Sequence, residues 1–151
     1  MTRSHWIAAM IVAGIGGVCP ALAAETAGMV KVSRGQVVIE RQGEVLPAVV
    51  GTPVLVADRL RTGRDGAVGV TLRDNTLLSA GPDSLVVIDN FAFNSSTLDG
   101  RMSIGVRKGT LSVATGKIAK QTPESVDFRT PTSVLGVRGT EFIVEVDGNE
   151  E

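Results

Sequence analysis

The chain has 151 residues, a length typical of one domain, with 15 basic and 16 acidic side chains. This balance lacks the basic surface that binding to nucleic acid or to a lipid surface requires. The single histidine and the single cysteine are His5 and Cys19, so the remainder has no imidazole or thiol for nucleophilic catalysis or a zinc site. We therefore expect neither enzymatic activity nor a cofactor.

The first 24 residues predict a secretory signal peptide. Arg3 supplies a positive charge, Trp6–Val18 is an apolar run, and Ala21–Ala23 has the small-x-small pattern of a cleavage site. The run is shorter than the roughly 20 residues of a membrane span. We expect cleavage after Ala23 or Ala24 and export to the periplasm. Secretion and an uncleaved membrane anchor are the alternatives. Removal of this segment leaves residues 25–151 as the folded domain, with no membrane span.

Alternating apolar residues then predict short β-strands. Val68–Arg73 and Phe142–Asp147 alternate as half-buried strands do, and Leu85–Ile88 is a continuous apolar run typical of a strand buried on both faces. Turn-forming residues separate such runs, at Arg64-Asp65-Gly66, Asp74-Asn75, Gly81-Pro82-Asp83, Asp99-Gly100 and Asp147-Gly148. The pattern predicts an all-β, single-domain protein, either sandwich-like or solenoid-like.

Two internal sequence similarities raise the alternative of a duplicated domain. Arg34–Ile39 resembles Lys108–Val113, and Arg61-Thr62 followed by a Val-Gly-Val run resembles Arg129-Thr130 followed by Leu-Gly-Val. Such spacing could reflect two related halves stacked together, or chance similarity between glycine-rich strands.

Three motifs follow one another along the chain. They are Asp58–Gly63 with Asp74-Asn75-Thr76 after the next strand, Leu78–Ser84, and Arg129–Phe142. In this order they resemble the FecR-type periplasmic domain, from about Val30 to Val146. Ala57 is a departure, because the family often has glycine before this aspartate. The chain resembles a short, stand-alone member that consists of a signal peptide and the domain.

The resemblance implies an all-β fold and a role in cell-envelope signalling or assembly through contact with another envelope protein. A small-ligand or cell-wall glycan-binding module and a structural envelope accessory protein are the alternatives. The motif residues that the resemblance marks, mainly with structural roles, are Asp58, Arg61, Thr62, Gly63, Asp74, Ser84, Thr130, Pro131, Gly136, Val137, Arg138, Gly139, Thr140 and Phe142.

Arg138 poses a specific problem of placement. A regular strand from Gly136 to Val146 would put its guanidinium on the face of Phe142. A buried arginine needs a carboxylate, and Asp58 and Asp74 are the candidates. A bulge at Gly139 would instead turn Arg138 outward. Arg138 could then bond carbonyls across a turn, or contact a partner or an anion.

The remaining expectations concern glycine, threonine and aromatic side chains. We expect Gly136 to serve a tight bend or a close strand approach, and Thr140 to bond the backbone. Phe91 and Phe93 lie two apart and face one way in a strand. They form either an edge of the core or an apolar contact patch for a partner.

Overall fold

A computed structural model describes residues 25–138 and 141–148. The predicted signal peptide and the motif residues Gly139 and Thr140 lie outside the described residues. Among the residues described, no helix has the length and apolar character needed to cross a membrane.

Most of this region is β-structure, with a single short helix, α1 (Lys117–Gln121), and a 3₁₀ turn at Pro123–Ser125. The strands are β1 (Thr26–Arg34), β2 (Val37–Arg41), β3 (Glu44–Pro47), β4 (Pro53–Leu55), β5 (Arg59–Thr62), β6 (Ala67–Leu72), β7 (Leu77–Ala80), β8 (Leu85–Phe93), β9 (Gly100–Ala114), β10 (Val126–Arg129), β11 (Val134–Gly136) and β12 (Glu141–Val146).

The strands form one curled sheet with two leaves that share β9. Leaf A has the order β4-β1-β6-β7-β9-β12 and uses the second half of β9, which pairs with β7 and β12. Leaf B has the order β3-β2-β5-β8-β9-β10-β11 and uses the first half of β9. Only β9–β10 is parallel among the pairings of these strands. The all-β, single-domain prediction is confirmed, in the form of one curled, mainly antiparallel sheet.

Four passages of the chain between the leaves lie side by side and form a hydrogen-bonded row of corners. They occupy residues 34–37, 62–67, 80–85 and 108–110. Backbone hydrogen bonds link neighbours, from Gly63 N to Gln36 O at 2.8 Å, from Asp83 N to Gly63 O at 3.0 Å and from Gly81 N to Thr110 O at 3.0 Å. These bonds satisfy backbone groups that the bends remove from the strand ladders.

The corner row accounts for one of the two internal sequence similarities. Gly35 and Gly109 both have positive φ, 62° and 85°, and each begins a passage from one leaf to the other. Strand pairing is related in the same way, since β1–β6 and β2–β5 correspond to β9–β8 and β9–β7 with the leaves exchanged. The second sequence similarity does not correspond to similar structure, because Thr62 is buried in the corner row whereas Thr130 lies in a surface turn.

One hydrophobic core lies between the leaves. The predicted alternation is confirmed in β6, where Val68, Val70 and Leu72 are buried, and in β12, where Val144 is buried and Ile143 is 70% exposed. The predicted run Leu85–Ile88 is buried throughout. Burial of these apolar side chains is the main favourable term in folding, at about 25 cal/mol per Å² of apolar surface.

Candidate functional site

The first family-like motif supports the β4–β5 turn through Asp58. Its side chain is 1% exposed and accepts two hydrogen bonds from Arg41, from Nε at 2.9 Å and from Nη2 at 2.6 Å. A third bond comes from Leu55 N at 2.8 Å. The hydrogen bond with this carboxylate, helped by its charge, raises the pKa of Arg41 against the opposing effect of burial. The arrangement is a paired, partly buried charge with a structural role.

The second motif aspartate, Asp74, is fully buried and supports the start of α1. Its carboxylate accepts hydrogen bonds from Thr76 N at 3.1 Å, Thr76 Oγ1 at 2.8 Å and Ile118 N at 3.3 Å. Thr76 Oγ1 accepts in turn from Gly116 N at 3.0 Å. Asp74 therefore joins the β6–β7 turn to the segment after β9, and every partner is a neutral group.

Two more motif residues, Thr62 and Ser84, lie inside the corner row. Thr62 Oγ1 donates to Gly81 O at 2.6 Å and accepts from Ser84 N at 2.9 Å. Ser84 Oγ accepts from Thr110 N at 3.0 Å. Both residues are buried, so these hydroxyls hold neighbouring corners together and are not available to a ligand.

Two other residues of the first motif, Gly63 and Arg61, lie nearer the surface. Gly63 donates its N–H to Gln36 in the corner row, and a Cβ there would approach the Gln36 side chain. Arg61 is exposed and forms an ion pair with Glu40 on β2, from Nε to Oε1 at 2.7 Å. An exposed pair of this kind contributes little to stability.

These contacts correct the expected placement of Arg138. Its two candidate partners already have other partners, Arg41 for Asp58 and Thr76 for Asp74. Arg138 is exposed and forms no ion pair or hydrogen bond within the described part of the chain. Of the alternatives for Arg138, the buried and paired one is wrong, because β11 belongs to leaf B and β12 to leaf A, so the alternation of faces does not continue from one strand to the other.

The C-terminal motif is largely exposed at the open edge of leaf B. Thr130 N donates to Ser133 O at 2.8 Å and Thr130 Oγ1 accepts from Ser133 N at 3.0 Å, which closes the turn around exposed Pro131. Among the described strands, β11 then pairs with β10 alone. Its residues Val134 and Leu135 are 67% and 38% exposed.

Gly136 does not make the close approach expected of it. A Cβ at this position would meet no heavy atom within 4 Å, and its φ is not positive. Val137 is the one residue of this stretch whose side chain enters the core, at 7% exposure. Residues 130–138 therefore have one buried anchor and several positions without a packing role, whereas Phe142 at the end of the motif packs against the core.

A surface cleft of about 270 Å³ adjoins this edge. It is lined by Pro123, Glu124, Gly136, Val137 and Arg138. We call Val134, Leu135, Gly136, Arg138 and Glu124 together the C-terminal motif surface. It combines exposed apolar side chains, a strand edge, a cation and an anion.

The three phenylalanines considered above have different positions. Phe142 packs edge-on against Phe128, with ring centroids 4.9 Å apart and an interplanar angle of 80°. Phe91 is 1% exposed beneath Arg73, so it belongs to the core and the alternative of a partner contact is wrong for it. Phe93 is partly buried and packs against the core, which is the predicted core edge.

Sequence reasoning missed three residues of these arrangements: Arg41, Glu124 and Phe128. The period of β2 could have indicated Arg41, because it shares a strand face with Val37 and Ile39, which are both buried. A charge at the end of a buried face needs a partner. Phe128 could also have been indicated, because Val126 and Phe128 alternate with Asp127 and Arg129 in β10 and are both buried. Glu124 has no such local signal, since its neighbours in the cleft come from the later segment with Gly136 and Arg138.

The outer face of leaf B carries charge in pairs near this surface. Arg129 Nε donates to Asp127 Oδ2 at 2.8 Å, and that hydrogen bond and the aspartate charge raise the pKa of Arg129. Arg107 Nη2 lies 3.8 Å from Asp89 Oδ1. Within the described ranges, no group of three or more histidine, cysteine, aspartate or glutamate side chains could hold a metal ion.

Comparison with known proteins gives one family. A model of the family described as FecR protein matches residues 58–151. No curated protein matches the chain. A solved structure described as a cell surface anchoring domain is similar at 24% identity and a TM-score of 0.39, over 40% of this chain and 82% of that one.

Proposed function

Because the chain belongs to the FecR protein family, an envelope-associated family related to signalling, we propose that it is a non-enzymatic periplasmic module that binds another envelope protein. The C-terminal motif surface is the proposed contact, and residues 1–24 are the proposed export signal. Contact with a partner protein would be the step by which the module relays or organises an envelope signal.

One observation carries this proposal. The part of the chain with the most specific family motif is the part that packing explains least. Val134 is 67% exposed, and a Cβ added at Gly136 would meet no heavy atom within 4 Å. Arg138 is exposed and unpaired among the described residues. The motif residues Asp58, Asp74 and Ser84, by contrast, are buried and all have hydrogen-bond partners. Exposed side chains without a role in packing are candidates for binding.

Site-specific photocrosslinking in cells tests the proposal. A photoreactive amino acid at Leu135 is expected to give one discrete crosslinked species. The matched control is Val49, which is 60% exposed in the segment between β3 and β4, at the opposite edge of the sheet. Arg138→Glu should abolish the Leu135 product while far-ultraviolet circular dichroism remains unchanged. Equal products from Leu135 and Val49, or none from either, would overturn the proposal.

Export is tested separately. Fractionation should recover the protein in the periplasm, with a mass that corresponds to cleavage after Ala23 or Ala24. Recovery of the uncleaved chain in the cytosol would contradict this part of the proposal and leave the crosslinking result to be judged by itself.

A further inference from the structure

The last strand, β12, presents a second open edge, on leaf A. It pairs with β9 on one side, from Glu141 opposite Ala114 to Val146 opposite Gly109, and with no other described strand. Alternate residues of such an edge have N–H and C=O groups that no ladder satisfies. Six residues are enough to receive an added strand.

Natural edge strands are commonly protected by lysine, proline or a bulge. β12 has the sequence Glu-Phe-Ile-Val-Glu-Val and pairs with β9 without a register shift. Its outward row is Glu141, Ile143 and Glu145, all exposed, with Ile143 at 70%. Within the described residues, the edge is therefore protected by no more than two like charges on either side of an exposed apolar residue.

These charges disfavour pairing between two copies of the chain. Antiparallel self-pairing centred on Ile143 would place Glu141 directly opposite Glu145 of the second copy, twice. Like charges directly opposite each other destabilise a strand pair, whereas opposite charges stabilise it. The charges of β12 therefore disfavour pairing with a second β12. They favour a partner strand with basic residues opposite Glu141 and Glu145.

The surroundings of β12 have the same preference. Its C-terminal end opens on a cleft of about 350 Å³ whose charged lining residues are Asp83, Glu145, Asp147 and Lys108. Three carboxylates against one ammonium group make the cleft negative. On β9, the residue opposite Ile143 is Ser112. It is followed across leaf A by Ser79 on β7 and Gly69 on β6, so the neighbours of Ile143 in this row are small and uncharged.

From this geometry we propose that β12 binds an extended segment of a partner protein by strand addition, and that the segment has the pattern basic-x-apolar-x-basic. The apolar residue lies against Ile143, and the basic residues lie opposite Glu141 and Glu145, one of them beside the acidic cleft. This proposal rests on the proposed function as a protein-binding module, but it uses a different surface.

A peptide titration followed by backbone amide NMR tests the inference on the protein purified from the cell envelope. The probes are two nine-residue peptides that differ only in charge, centred on Lys-Thr-Val-Thr-Lys and on Glu-Thr-Val-Thr-Glu. The lysine peptide is expected to shift the amides of β12. The glutamate peptide is expected to bind about threefold to tenfold more weakly, as two cross-strand charge pairs would require.

A charge-reversal variant makes the test specific. Glu141→Lys with Glu145→Lys should reverse the preference between the peptides. Glu44→Lys with Asp99→Lys makes the same change in net charge at exposed positions elsewhere and should leave the preference unchanged. Equal binding of both peptides, or amide shifts at β11 in place of β12, would overturn the inference. So would a dimer that Ile143→Lys dissociates, since the edge would then belong to a second copy.

The result is separable from that of the proposed function. Crosslinking from Leu135 reports the C-terminal motif surface, whereas peptide preference reports the β12 edge. A preserved Leu135 product without charge-selective peptide binding would reject only the β12 inference, and the opposite outcome would reject only the C-terminal motif surface.

Discussion

Arg41 and Asp58 lie 17 positions apart and join the end of β2 to the β4–β5 turn through two parallel hydrogen bonds. Arg41 Nη2 also donates to Pro53 O at 3.0 Å. One guanidinium on β2 of leaf B therefore binds both β4 of leaf A and the turn that follows β4. The Asp58 side chain is 1% exposed, and that of Arg41 is 27% exposed. This pair is the interaction most directly connected to the first family motif.

Asp58→Ala is expected to lower the free energy of unfolding by about 2–4 kcal/mol, because it removes the charge partner of Arg41 and leaves Arg41 Nε and Leu55 N without their acceptor. The value is below that of a fully buried pair since Arg41 is partly in water. Urea unfolding measures it. Glu40→Ala, which breaks the exposed pair with Arg61, is the control and should cost less than about 1 kcal/mol. Equal effects of the two changes would contradict the structural role of Asp58.

Ala57→Gly is expected to stabilise the protein. Ala57 has φ 74°, and its N–H donates to Ile88 O at 2.7 Å, so its backbone is held in the left-handed region. That region costs a residue with a Cβ about 1–2 kcal/mol, partly offset by the greater unfolded-state entropy of glycine. We expect a net gain of about 0.5–1 kcal/mol in the free energy of unfolding, measured by thermal or urea unfolding.

The control for this change is Ala92→Gly in strand β8, where the alanine is exposed. It should destabilise by about 0.5–1 kcal/mol, as glycine does within a strand. Destabilisation by both changes would argue against the left-handed conformation at Ala57. The family's usual glycine before Asp58 thus has a conformational explanation.

Gly109→Ala and Gly136→Ala are a matched pair with opposite expectations. At Gly109 φ is 85°, and a Cβ would overlap the side chain and Cα of Ser84 at the corner where β9 changes leaf. The change should cost at least about 2 kcal/mol, from the left-handed penalty and the overlap together. Gly136→Ala meets open space and should alter stability by less than about 0.5 kcal/mol. A large loss at Gly136 would show a packing role that its surroundings lack.

Ser103→Ala and Ser84→Ala separate a satisfied from an unsatisfied buried hydroxyl. In the part of the chain that the structure describes, Ser103 Oγ is buried without a hydrogen-bond partner, whereas Ser84 Oγ accepts from Thr110 N at 3.0 Å. Ser103→Ala should be neutral or stabilising by up to about 1 kcal/mol, and Ser84→Ala should cost about 1–3 kcal/mol. Calorimetric unfolding measures both, and a loss at Ser103 equal to that at Ser84 would refute the difference.

Much of the fold could be predicted from local patterns. The alternation over Val68–Leu72 specified both a strand and its buried face, because side chains of a strand point to opposite sides with a period of two. The turn at Asp74-Asn75 is real, with Asn75 at φ 69°. Such features depend on residues close together in the chain, which the sequence shows directly.

The site could be predicted only as a set of motif positions. The same period that served for β6 failed for Arg138, because β11 and β12 are in different leaves and share no continuous face. Pairing of Arg41 with Asp58 required the register that places Glu40 opposite Arg59. Partner choice of this kind is decided by long-range packing, which no local pattern records.

The sequence by itself determined the all-β class, the strand faces and the position of the family motifs, because these depend on local periodicity and turn chemistry. Only the tertiary structure decided which motif residues are buried and which are free to bind. Folding the sheet into two leaves around one core gave Asp58, Asp74 and Ser84 their partners. It left Arg138 and the β12 edge on the surface, because each lies where a leaf ends and no further strand of the described chain follows.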